Sequence, residues 1–90
     1  MDYKFHFDDE ILFLEFNIPI IDKTVDNTIE EVKNTFPDHN FRVVAIKNIL
    51  GYWSAKDLLS CESIYCGTRS LKSTKEQIKK VLNEIKSSSN

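Results

Sequence analysis

At 90 residues the chain has the length of one domain, and with 41% hydrophobic and 29% charged residues it is too apolar to remain disordered. A domain of this size buries only about 60% of its unfolded surface, which argues against a deep enzymatic cavity and leaves room for an oligomer or a partner to add stability. The net charge of −2 hides an asymmetry: residues 1–40 hold ten acids and three bases, residues 41–90 four acids and nine bases. One acidic and one basic face follow if the halves stay apart in the fold, and a neutralised surface if they lie side by side.

The longest apolar region, residues 11–21, is interrupted by Glu15, Asn17 and Pro19 and falls short of the ~20 residues that span a bilayer. The amino terminus lacks the basic start and apolar core of a signal peptide, so a cytoplasmic setting is expected, with Cys61 and Cys66 as free thiols. Ile, Lys, Asn, Phe and Tyr supply 36 of the 90 residues, a bias of AT-rich coding that is shared by phages and mobile elements of AT-rich hosts.

Tyr3, Phe5 and Phe7 alternate with Lys4, His6 and Asp8, the period of a half-buried strand. After the polar break Asp8-Asp9-Glu10, alternation resumes through Leu12, Leu14, Phe16 and Ile18 and predicts the second arm of a hairpin, ended by Pro19. Val25, Ile29, Val32 and Phe36 form one helical stripe, which predicts a helix over 25–36, started at Thr24 or Thr28 and stopped by Pro37. Residues 41–46 read as a buried central strand, and 49–53 as a short partner. Ser54-Ala55-Lys56-Asp57 has the spacing of a helix cap and predicts a single helical turn; residues 62–66 predict a last strand broken by Gly67. Ser73-Thr74-Lys75-Glu76 is a capping box leading into Ile78, Val81, Leu82 and Ile85, and predicts a closing helix over 73–87. A single globular domain over 1–86 with a frayed polar tail at 87–90 is expected.

The fold class that follows is α+β, a two-layer sandwich with the order β-β-α-β-β-(short turn)-β-α; a ferredoxin-like arrangement is the alternative. Leu14-Glu15-Phe16 followed by Asp26-Asn27-Thr28-Ile29-Glu30-Glu31-Val32-Lys33 resembles the strand-to-helix passage of the ubiquitin-like β-grasp family, over residues 3–66. The resemblance implies an architecture only: the chain has no Gly-Gly tail and finishes in a helix, so conjugation to other proteins is not implied.

No complete catalytic constellation is visible. Cys61-x4-Cys66 with His6 and His39 fits no zinc-finger spacing, so no metal and no cofactor is expected. Cys66-Gly67-Thr68-Arg69 places two residues between cysteine and arginine where a phosphatase-type loop needs five. Asp8-Asp9 and Glu30-Glu31 read as turn and helix-surface charges, and both histidines as solvated side chains.

What remains is recognition. Tyr52 and Trp53 are adjacent aromatics that point in opposite directions in an extended segment, so one can face solvent as a binding anchor while the other plugs the core. With the acidic hairpin Asp8, Asp9 and Glu10 they form the candidate protein-binding residues. Arg69, Lys72, Lys75 and Lys79, on or beside the closing helix, are the candidate contacts for nucleic-acid phosphates, against a reading in which they only keep the helix soluble. The expected function is a small non-enzymatic protein-interaction or regulatory domain, of the kind a phage or mobile element uses to inhibit a host protein. The alternative is a nucleic-acid-binding accessory domain; a homo-oligomer is compatible with either, and no membrane partner is expected.

Overall fold

The computed structural model describes residues 2–88. Its elements are β1 (Tyr3–Asp8), β2 (Ile11–Phe16), α1 (Asp22–Thr35), β3 (Val43–Lys47), β4 (Trp53–Asp57), β5 (Ser63–Thr68) and α2 (Leu71–Ser88). The α+β class and the expected element order hold. The ferredoxin-like alternative, which opens β-α-β, does not apply, because β1 and β2 form a hairpin before the first helix.

The five strands lie in chain order across one sheet. All neighbours are antiparallel except β2 and β3, which run parallel with Ile11 opposite Val43 and Glu15 opposite Lys47, and α1 makes the crossover between them. Parallel neighbours need such a connection, whereas the hairpins close locally. A two-residue turn, with Asp9 left-handed at φ 55°, joins β1 to β2.

The layering differs from the two-layer expectation. Ile11 and Phe13 of β2 pack with Val43, Ala45, Trp53, Ala55, Ile64 and Cys66 beneath Ile78 and Leu82 of α2. Leu12, Leu14 and Phe16 face the opposite way and pack with Val44 beneath Ile29 and Val32 of α1. β2 is therefore buried on both faces, and the helices sit on opposite sides of the sheet as outer layers. That is why residues 11–14 form an unbroken apolar run instead of an alternating one. Phe7 stacks on His39 with ring centres 4.3 Å apart, Phe36 sits edge-on to it and Phe41 packs tilted against it, closing the α1 side beside β1.

Several boundaries move. α1 begins at Asp22, and Thr28 is inside the helix, where its hydroxyl donates to the Thr24 carbonyl oxygen. α2 begins two residues before the expected capping box, because Ser70 is the cap: its Oγ accepts the Ser73 N–H at 3.1 Å, while Thr68 Oγ1 accepts the Ser70 N–H at 3.0 Å. The helix runs through Ser87 to Ser88, and the rest of the expected tail, 89–90, lies outside the described residues. Residues 54–57 are strand, not a helical turn: Trp53, Ala55 and Asp57 are buried while Ser54 and Lys56 are exposed. Gly67, at φ 59°, bends β5 without ending it. No described helix is long and apolar enough to cross a membrane.

Candidate interaction site

β3 and β4 are joined by a loop that one side chain organises. Asn48 Oδ1 accepts the N–H of Leu50 at 3.0 Å and of Tyr52 at 3.1 Å. The backbone adds two bonds, Gly51 N–H to the Asn48 carbonyl at 2.9 Å and Asn48 N–H to the Tyr52 carbonyl at 3.0 Å. Asn at the first position of a turn and Gly at the fourth is the preference of this geometry. Gly51 is at φ 93°, and a Cβ there would stand 3.9 Å from the nearest Arg69 atoms, so the backbone conformation rather than lack of space calls for glycine.

With the Asn48, Leu50, Gly51 and Tyr52 N–H groups paired within it, the loop turns its side chains outward: Ile49 is 52%, Leu50 68% and Tyr52 44% exposed. Arg69, between β5 and α2, lies with its guanidinium carbon 4.6 Å from the Tyr52 ring centre, a cation–π contact that orients the ring from one side. Ile21, equally exposed, precedes α1 at the same end of the sheet, since β2 and β3 are parallel and both chains leave the sheet there.

The expected binding residues separate on this framework. Tyr52 is at the surface. Trp53 is not: it is 3% exposed, its ring edge-on to Phe13 at 5.8 Å, so as a binding anchor it is corrected to core. Alternation along β4 forces this, because Trp53 shares a face with the buried Ala55 and Asp57.

The acidic hairpin and the basic helix meet each other. Asp8 accepts ion pairs from Lys75 at 3.2 Å and Lys79 at 3.5 Å, and Glu10 from Lys86 at 2.6 Å. The Lys75 hydrogen bond holds the Asp8 carboxyl below its usual range. Lys75 also lies 5.3 Å over the Phe13 ring. Of the residues expected to face phosphates, Lys75 and Lys79 are thus engaged by a carboxylate and Arg69 by Tyr52, while Lys72 is exposed. Asp9 is exposed at the turn tip. The two halves of opposite charge neutralise side by side along this contact.

At the other end of β4 a second loop is organised from within. Asp57, 1% exposed, takes a bidentate pair from Arg42, Nε to Oδ1 at 3.0 Å and Nη2 to Oδ2 at 2.9 Å. It also accepts the Leu59 N–H at 3.1 Å and the Ser60 hydroxyl at 3.0 Å. The Arg42 hydrogen bonds dominate over burial and hold its carboxyl at about 2, and they raise the Arg42 guanidinium in turn. Every oxygen lone pair of this carboxylate has structural work, so it is a clamp rather than an acid or base awaiting a substrate.

Cys61 is exposed and Cys66 buried, both as free thiols. Burial pushes the Cys66 thiol up, away from nucleophilic character. Among the described residues no group of three or more His, Cys, Asp and Glu is gathered as a metal site. The sequence reading missed Asn48, Ile49 and Leu50, although Asn-x-x-Gly between two apolar runs was a usable turn signal. Compared with family models, curated proteins and solved structures, the chain matches none.

Proposed function

We propose that the protein is a non-enzymatic interaction domain that binds another protein through the loop 48–52. The observation that carries this reading is the loop itself: Ile49, Leu50 and Tyr52 are held outward by a turn in which Asn48 fixes the Leu50 and Tyr52 N–H groups, so they can be buried by a partner without reorganising the backbone. Large apolar and aromatic anchors on a rigid support are the usual centre of a binding surface, with Arg69 at its rim. A role by occupation, regulatory or inhibitory, in a cytoplasmic setting where both thiols stay reduced, fits this arrangement.

The test compares affinity capture by the wild-type chain with capture by Leu50→Asp and Tyr52→Ala, followed by mass identification of what is retained. Both variants should keep the wild-type melting temperature and lose the retained protein. A partner held equally by both variants moves the site elsewhere. Retention of DNA or RNA that weakens steeply with salt and depends on Lys72 replaces the proposal with a nucleic-acid one.

A further inference from the structure

The sheet has two free edges, and they are treated differently. β5 is distorted: Gly67 is left-handed at φ 59°, and its pairing with β4 shifts register between Trp53 and Ala55. Such an irregular edge resists addition of another strand. β1 carries none of these protections. All six of its residues pair with β2 in unbroken register, with no bulge and no proline.

The direction of its peptide groups follows from the turn. A two-residue turn makes Asp8 and Ile11 a hydrogen-bonded pair, so Lys4, His6 and Asp8 face β2 and Tyr3, Phe5 and Phe7 turn their N–H and C=O groups outward. The Asn17 N–H donating to the Asp2 carbonyl at 3.0 Å continues the even-numbered set and confirms the parity. No backbone hydrogen bond reaches the outward groups among the described residues. The side chains of the outward set are the half-buried aromatics of the α1 side.

We infer that β1 pairs antiparallel with the β1 of a second copy across a twofold axis at Phe5, joining two sheets into one of ten strands. Two observations choose this occupant and this register. Centring on Phe5 pairs Phe5 with the partner's Phe5 and Tyr3 with the partner's Phe7, satisfying all three outward residues of each strand and continuing the aromatic row. A register centred on His6 leaves Tyr3 facing a turn residue. Charge agrees: centring on Phe5 sets the exposed Asp2 against the partner's Asp8, whose bridges from Lys75 and Lys79 give that cluster one net positive charge. The His6-centred register sets Lys4 there instead, against a carboxylate already taken by Lys75 and Lys79. The interface is isologous, so it closes at two copies and does not propagate.

Sedimentation equilibrium on the full chain tests this. The wild type should be dimeric at about 100 μM, the regime of a modest interface. Asp2→Lys, at an exposed residue, should weaken dimerisation about tenfold with an unchanged melting curve. Phe5→Pro removes the outward N–H at the axis, leaves the β1–β2 ladder its bonds, and should weaken dimerisation at least about a hundredfold. Phe5→Cys in a Cys61→Ser background should form an intermolecular disulfide under mild oxidation, since hydrogen-bonded antiparallel Cα atoms stand about 5.5 Å apart. A wild type monomeric at every concentration, including one whose edge pairs only with another protein's strand, overturns the inference. So does a dimer unaffected by Asp2→Lys, or one that survives Phe5→Pro or fails to cross-link through Phe5→Cys.

Discussion

At one end of β4 the carboxamide of Asn48 holds a loop whose side chains face water; at the other the carboxylate of Asp57 holds a loop from beneath. Both side chains accept backbone N–H groups two residues on, Leu50 for Asn48 and Leu59 for Asp57. They differ in charge and burial. Asn48 is neutral and half-buried, and its bonds fix shape alone. Asp57 is ionised and covered, and it also anchors Arg42 from the chain that enters β3. A neutral acceptor can hold a loop that must remain open to a partner. A buried carboxylate demands a cation, and the pair then ties distant segments together.

Substitutions along β4 and its two loops probe that contrast. Trp53→Ala, where the open loop enters β4, should cost about 4 kcal/mol of unfolding free energy by urea titration, through loss of a fully packed ring against Phe13. A loss below about 1 kcal/mol would place Trp53 at the surface and undo the division between it and Tyr52. Asp57→Ala should cost about 3 kcal/mol, because the Leu59 N–H and the Ser60 hydroxyl lose an acceptor and Arg42 loses its partner. The same carboxylate sets an acid limit. Its folded value of about 2 lies below the ordinary 3.8, so its contribution is complete above about pH 5 and fades as pH falls through about 2, amounting to about 2 kcal/mol. Urea midpoints measured across that window should fall for the wild type and fall less for Asp57→Asn.

Asn48→Ala should cost only about 1 kcal/mol while loosening residues 49–52, read as faster amide exchange at Leu50 and Tyr52. Tyr52→Ala should change stability by less than about 0.5 kcal/mol and yet abolish partner capture. A protein in which Asn48→Ala melts the sheet and Asp57→Ala does not would reverse the roles of the two loops.

Periodicity made most of the fold readable. The alternation through Tyr3, Phe5 and Phe7 and the helical stripes of Val25–Ile29–Val32 and Ile78–Val81–Leu82 are local signals, and each element is where they place it. β4 was misread because Ser54-Ala55-Lys56-Asp57 has the letters of a helix cap, and because its small Ala55 and charged Asp57 do not look like core. Asp57 is core only through Arg42, 15 residues away, a pairing that no local window contains. The face of Trp53 depended on the phase of that unrecognised strand. The pairing of the basic helix was hidden for a similar reason: Lys79 meets Asp8 across 71 residues of chain. Layer number was also tertiary information, since a helical stripe says which face is buried and not which side of a sheet receives it.

The parallel seam between β2 and β3 divides the molecule in time as well as in space. Every other strand pair is joined by a short loop, so the hairpin 3–16 and the three-stranded meander 43–68 can each close locally. Ile11 meeting Val43 is the one long closure in the sheet, and closing it aligns both core layers together. Folding speed should accordingly follow the entropy of that single encounter. Lengthening the connection at residues 37–41 should slow folding while leaving unfolding nearly unchanged, whereas lengthening either hairpin turn should do less.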